Sequence, residues 1–302
     1  NKRKRRKSRG FSKVGSIEAR WGCFFLLPNI IGFLTFTLIP VVVSFFLSLC
    51  RYDILTPARF VGLLNYSRLL KDSYNLNALK NTVYYTVGVI PPGIIISLFL
   101  AILVNQKLKE IVLYRALLFL PVITSTVAVS IVWAWLYDPV NGYINYILSW
   151  FGIDGPNWLG STTWAMPAII IMSIWKGLGF NMVIYLAALQ GIPEQFYEAA
   201  RIDGASWWAQ FRYITLPMVS PTTFFVLVMS IIGSFQVFDQ AYIMTRGGPA
   251  EATVTMVYQI YINAFHYFRM GYASAIAWLL FFIILGATLF QIKLQKRWVF
   301  YG

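Results

Sequence analysis

Residues Glu198 to Pro217 read Glu-Ala-Ala-Arg-Ile-Asp-Gly-Ala-Ser-Trp-Trp-Ala-Gln-Phe-Arg-Tyr-Ile-Thr-Leu-Pro, and the fold turns on how this stretch is placed. It sets two acids, two arginines and Gly204 between two long apolar runs. Pro193 can open a helix without losing a backbone donor, and Glu194 and Glu198 put negative charge near its positive end. A short helix is therefore expected over 193–202. Gly204 supplies a turn, and a second short helix over 205–213 leaves at a new angle until Pro217 stops it. Ala199, Ala200 and Ala205 keep the surface shallow enough for another backbone to approach, while Trp207, Trp208 and Phe211 are expected to pack beneath the hairpin. The stretch is built to dock on something, not to cross a membrane.

Everything around it is built to cross one. Of the 302 residues 58% are hydrophobic and 12% charged, against about 25% charged in an ordinary soluble domain. The net charge of +14 does not point to nucleic acid, because nine of the basic residues lie in the first twenty positions. A polybasic segment directly before an apolar run anchors topology on the cytoplasmic side and can touch anionic lipid. The run that follows, 24–49, is 26 residues without a charge, longer than a signal-peptide core of about 7 to 15. Cys23 and Cys50 flank it, roughly 40 Å apart along a helix, and read as small apolar residues.

Further runs long enough to span a membrane follow at 81–104, 116–137, 162–189, 219–240 and 272–292. Pro91-Pro92-Gly93 is expected to kink or open the second, and Trp133, Trp135 and Tyr137 form an aromatic belt at the end of the third. An all-α membrane protein with six transmembrane helices results, its basic tail 1–20 preceding one membrane domain over 21–302 with the polar loop at 190–218. Both termini then lie inside. That orientation puts 17 basic residues inside and 7 outside, with Lys176 within a span. The outer loops hold a short interfacial helix within 60–72 and a turn-rich segment over 138–161.

The spacing Glu198-Ala199-Ala200, three residues, Gly204, nine residues, Ile214, one residue, Leu216-Pro217 resembles the EAA loop of ABC importer membrane subunits. The likeness extends through Phe60-Val61-Gly62-Leu63-Leu64-Asn65-Tyr66, Asn81-Thr82, Tyr114 to Pro121, Ile174 to Phe180, Asp203-Gly204-Ala205 and Thr245-Arg246-Gly247-Gly248-Pro249. Together these are similar to the maltose-transporter-like permeases of carbohydrate importers, the first permease of the pair. The resemblance implies the type I ABC importer permease fold and a bacterial or archaeal cell membrane. It implies a second permease subunit, two ATPase subunits holding ATP and magnesium, an extracytoplasmic solute-binding protein and an oligosaccharide substrate. It also implies that Glu198, Ala199, Ala200, Arg201, Asp203, Gly204 and Ala205 couple the chain to an ATPase, with Glu198 fixing the loop through hydrogen bonds. No Gly-x-x-x-x-Gly-Lys-Ser/Thr pattern occurs in the chain, so it carries no phosphate-binding loop of that kind. No cofactor is expected here, and the lone His266 lacks companions at metal-ligand spacing.

For the pathway the residues themselves offer a candidate. Lys176 lies halfway along the fourth span, where an ionised side chain costs about 2.5 to 3.5 kcal/mol, so it should face a cavity or a partner. Gly177 and Gly179 leave room beside it, and Phe180 shares its face. Ser230 and Ser234 fall at similar depth in the fifth span, with Gln236 and Asp239 further out. Lys176 either lines the path, favouring an anionic or heavily hydroxylated sugar, or pairs with an acid or carbonyls of a partner subunit. The rival readings are a membrane-embedded enzyme using Lys176 and Asp239, and a secondary carrier.

Overall fold

The computed structural model describes residues 13–106 and 111–300. The basic tail up to residue 12, and Lys107 and Lys109 of the inner charge count, lie outside the described residues. The helix α1 covers Arg20–Ser48, passing through a single π-turn at Leu34–Leu38. A two-residue strand pair, β1 (Cys50–Arg51) and β2 (Arg59–Phe60), closes the loop after it. The interfacial helix expected within 60–72 is α2, Leu64–Lys71.

Asp72 caps the next helix, α3 (Ser73–Val104), by accepting from the Tyr74 amide at 3.0 Å. Its Pro91-Pro92 pair was expected to kink or open the helix; α3 does not open there and runs on as one 32-residue helix. Packing explains the difference. The largest helix–helix interface is the one between α3 and α7 (Ala165–Gln190), and at Gly88 a Cβ would come within 2.6 Å of Ile170 Cδ1. The missing proline bonds are tolerated where neighbouring helices hold the backbone.

The third run is not straight. It divides into α4 (Ile111–Ile123) and α5 (Thr126–Leu136), bent by 99° at Thr124-Ser125. Helix α6 (Tyr143–Trp150) gives the turn-rich segment a structured centre. After α7 come α8 (Glu194–Ile202), α9 (Trp207–Met218) and α10 (Ser220–Phe235), with 62° between the last two. Thus Pro217 does not stop α9, which continues to Met218, where the chain turns at Val219. The run expected over 219–240 ends at Phe235, and α11 (Asp239–Thr245) starts anew. Helix α12 (Met256–Tyr261) and the final α13 (Met270–Gln295) complete the chain. Among the described residues four helices are long and apolar enough to cross a membrane, and up to six spans result if each bent pair counts as one.

Three clusters hold the bundle. Tyr85, Met172 and Tyr137 centre one, beside the α5 and α11 helices. Leu98, Met182, Tyr185, Leu189, Val219 and Val226 tie α3, α7 and α10 together. Leu69, Ala78, Phe235, Met256 and Ile276 form the third. The apolar stretch of α1 contributes no buried residue. It leans on α13 only near its end, through Phe45 edge-on to Trp278 at 4.9 Å and the Trp278 indole donating to Ser44 Oγ.

Candidate functional site

The polar turn between α8 and α9 is fixed by its own backbone. Gly204 sits at φ +79° in the left-handed region, and a Cβ there would meet nothing within 4 Å. Conformation, not crowding, demands glycine at this position. The Ala205 amide donates to the Ala200 carbonyl at 2.8 Å and the Gly204 amide to Arg201 at 3.1 Å, the paired bonds of a Schellman cap. Gln210 Nε2 donates to the Ala205 carbonyl at 3.0 Å, and Ser206 Oγ accepts from the Ala209 amide at 3.3 Å, capping α9. Tyr197 and Thr215 join hydroxyls at 3.0 Å across the hairpin. None of the bonds that close the turn involves Glu198, contrary to the expectation from the sequence. Glu198 is exposed, as are Ala199, Arg201 and Asp203, while Ala200 and Ala205 are half-buried.

The aromatic residues also depart from expectation. Trp207 and Trp208 are 63% and 61% exposed instead of packing under the hairpin. Trp207 stacks on Phe211, planes 3° apart, and the pair lines a cleft of about 200 Å³ with Ile102, Leu189 and Tyr197. Beneath, Ile214 and Leu216 pack against the Leu98–Met182–Val219 cluster. The two apolar positions of the spacing pattern are therefore its anchors, and Ile202, 86% exposed, is its free apolar surface.

Lys176 is held by its own chain. Its Nζ donates to the carbonyls of Thr124 at 3.1 Å and Pro121 at 3.3 Å. These carbonyls belong to the last turn of α4 and the bend beyond it, where helical partners run out and partial negative charge collects. Gly179 does not leave room beside the lysine. A Cβ there would fall on the Leu118 carbonyl oxygen and lie 2.9 Å from Phe119 Cα, so Gly179 lets α4 lie against α7. Gly177 does open on free space, and Phe180 is 49% exposed. Ser234 is buried and donates to the Ile231 carbonyl at 3.1 Å, back into its own helix, whereas Ser230 is half-buried.

Gln236 and Asp239, both exposed, meet in a cleft of about 190 Å³ with Gln240, Tyr85 and Thr126. Thr126 lies two residues beyond the carbonyl that Lys176 holds, so the same bend serves the lysine and the cleft. Ser234 turns away from it.

Other polar side chains act as pins that hydropathy does not reveal. Asn81 Nδ2 donates to Glu251 and Val254 carbonyls at 2.8 and 3.1 Å, and Thr82 Oγ1 accepts from the Met256 amide at 3.0 Å. Asn65 donates to the Ser48 and Cys50 carbonyls at 2.8 and 2.9 Å. Arg115 caps α3 by donating to the Val104 carbonyl through Nη2 at 2.7 Å and Nε at 3.2 Å. The turn at Arg246-Gly247 is tied by Tyr258 Oη donating to the Arg246 carbonyl at 2.7 Å. Asn65, Asn81-Thr82 and Arg115 all fall in motifs quoted above. Their presence in apolar surroundings was the available signal, but not their partners, which lie up to 174 residues away.

Bent apolar helices held by polar pins, with an exposed helix–turn–helix between two of them, make up a multi-pass membrane protein. The chain belongs to the family described as binding-protein-dependent transport system inner membrane component, whose pattern matches residues 93–299. It is 39% identical over 285 residues to the probable ABC transporter permease protein YesP of Bacillus subtilis, covering 93% of this chain and 92% of that one. It is 35% identical over 289 residues to the trehalose/maltose transport system permease protein MalF of Thermococcus litoralis, covering 94% and 97%. Among solved structures, a chain of a bacterial ABC transporter involved in the import of the acidic polysaccharide alginate superposes with a TM-score of 0.82 at 27% identity. That match covers 93% of this chain and 97% of the other.

Proposed function

We propose that this chain is the first permease of a binding-protein-dependent, ATP-driven importer of oligosaccharides. The carrying observation is the turn at Gly204, rigid, exposed and anchored by Ile214 and Leu216 to the cluster that joins α3, α7 and α10. In this reading Glu198, Ala199, Ala200, Arg201, Asp203, Gly204 and Ala205 form the surface that seats on a partner ATPase. A push on the turn reaches α7 and α10 directly. Two ATPase chains hold ATP and magnesium, a second permease completes the channel, and an extracytoplasmic solute-binding protein delivers the sugar at the opposite end. The turn and both termini face the cytoplasm, which places the Gln236–Asp239 cleft outside. Lys176, with two of its three donors engaged, keeps one for the path, beside Phe180, Ser230, Gln236 and Asp239. The imports named for MalF and the alginate transporter support a saccharide substrate.

Gly204→Val tests the reading in the assembled complex, reconstituted in proteoliposomes with its ATPases and binding protein. A β-branched residue at φ +79° is strained by about 1 to 2 kcal/mol or more, so the turn should deform. The expected outcome is loss of ATP-dependent sugar uptake with basal ATP hydrolysis by the ATPases retained or the ATPases released. Wild-type uptake by Gly204→Val would count against the coupling role, and uptake without ATPase chains would identify a secondary carrier instead.

A further inference from the structure

A second polar cleft opens at the end of the bundle opposite the Gly204 turn, where α1 ends and α3 and α13 begin. It encloses about 560 Å³ and is lined by Arg51, Arg68 and Arg269 with Tyr52, Tyr267 and Tyr272, together with Asn65, Asp53 and Asp72. The three arginines come from separate elements: Arg51 from β1, Arg68 from α2, and Arg269 from the position that precedes α13. Convergence of three guanidinium groups on one concavity costs mutual repulsion, so their charges need a partner.

The two carboxylates in the cleft supply it only in part, Asp53 by acting on Arg51 through space. Asp72 accepts from the Tyr74 amide, from Asn75 Nδ2 at 2.8 Å and from the Tyr272 hydroxyl at 2.9 Å, and it sits at the positive end of α3. Asp53 accepts from the Thr56 amide at 2.8 Å and the Thr56 hydroxyl at 2.7 Å. Those two bonds, the hydroxyl first, hold its carboxyl below the usual range. Among the described residues none of the three arginines forms an ion pair with a carboxylate. Arg269 instead lies over the Tyr267 ring at 5.5 Å, a cation–π contact that leaves its edge donors free.

Guanidinium edges receive carboxylates in two parallel hydrogen bonds, and tyrosine rings with hydroxyl tips suit the mixed apolar and polar faces of a sugar ring. The volume falls in the range of small-molecule sites, roughly 300 to 1,000 Å³. We infer that the Arg51–Arg68–Arg269 cleft binds a carboxylate-bearing oligosaccharide. The inference goes beyond the coupling role of the Gly204 turn and rests on the proposed orientation only for the side of the membrane it faces.

Binding to the assembled complex in lipid nanodiscs, where both faces are accessible, tests the cleft whatever its sidedness. The probes are tetragalacturonate and its fully methyl-esterified, uncharged counterpart, measured by calorimetry without any solute-binding protein. Tetragalacturonate should bind and the ester should not. Each of Arg51→Gln, Arg68→Gln and Arg269→Gln should weaken binding about tenfold or more, while assembly and the binding of ATP by the ATPases stay at wild-type levels. Equal binding of acid and ester, no binding of either, or unchanged affinity in all three variants overturns the inference. In a parallel titration with the solute-binding protein added, an effect of the variants confined to its association also overturns the inference and would make the cleft a seat for acidic side chains. Failure of coupling in Gly204→Val has no bearing on this equilibrium, so the two readings stand or fall separately.

Discussion

Replacing Lys176 with methionine keeps the length and apolar stem of the side chain and removes only the ammonium. The structure then loses two charge-assisted hydrogen bonds, to the Thr124 and Pro121 carbonyls. Bonds of this kind contribute about 1.5 to 3 kcal/mol each when short and buried. These are 3.1 and 3.3 Å long and the lysine is half-buried, which puts both at the low end. Some of the loss is offset because methionine carries no charge into the membrane, and Thr124 Oγ1 still donates to the Pro121 carbonyl at 2.7 Å. A net cost of about 2 kcal/mol remains, concentrated at the 99° bend. For a chain of 302 residues it should lower the melting temperature by about 3 °C.

Two readouts separate this positioning role from a sugar contact. The purified complex is melted by intrinsic fluorescence, and spin labels at Leu113 and Val132, both exposed, report the distance across the bend. Lys176→Met should lower the melting temperature and broaden that distance distribution. Lys176→Arg, which keeps a cation over the carbonyls, should restore most of both. An unchanged distance distribution and melting temperature in Lys176→Met would refute the clamp. Reduced uptake of acidic sugar alone, with both readouts intact, would assign the lysine to the path.

Gly179→Val should destabilise the chain by about 1 to 3 kcal/mol, because its Cβ would overlap the Leu118–Phe119 backbone, while Gly177→Val, with nothing within 4 Å, is the matched control; detergent thermal melts compare them. Asn81→Ala removes the bonds to the Glu251 and Val254 carbonyls and should cost about 1 to 3 kcal/mol. The expected readout is faster proteolysis within residues 246–255, with the rate at the 150–158 loop as internal reference.

How far the sequence alone reaches depends on what each residue must do locally. Gly204 was legible because a left-handed turn leaves few alternatives to glycine, and α8 because Pro193, Glu194 and the acidic first turn announce it. The locations of the six apolar runs were also legible. The sharp bend in the third was not: Thr124-Ser125 sits inside an uninterrupted uncharged stretch, and a hydropathy count weighs it like any other pair of residues. Pro91-Pro92 misled in the other direction, since the α3–α7 interface overrides the local weakness. Lys176 was marked as facing a cavity or pairing with an acid or carbonyls of a partner subunit, whereas the carbonyls it meets belong to its own chain. Its carbonyls, 52 and 55 residues earlier, could be located only once the bend was known. Glu198 was expected to fix the loop through hydrogen bonds and Trp207 to pack beneath the hairpin, whereas the backbone closes the turn and both side chains are exposed.

Asp72 and Asn75, at the start of α3, bond to Tyr272, 200 and 197 residues later, and Asn81 waits for Glu251, 170 residues on. During synthesis the first two spans thus enter the bilayer before most of their polar partners have been made. Until the last helix arrives, those amides and carboxylates must remain in the watery headgroup layer. The final helix therefore completes polar contacts at the start of α3 that no earlier segment supplies.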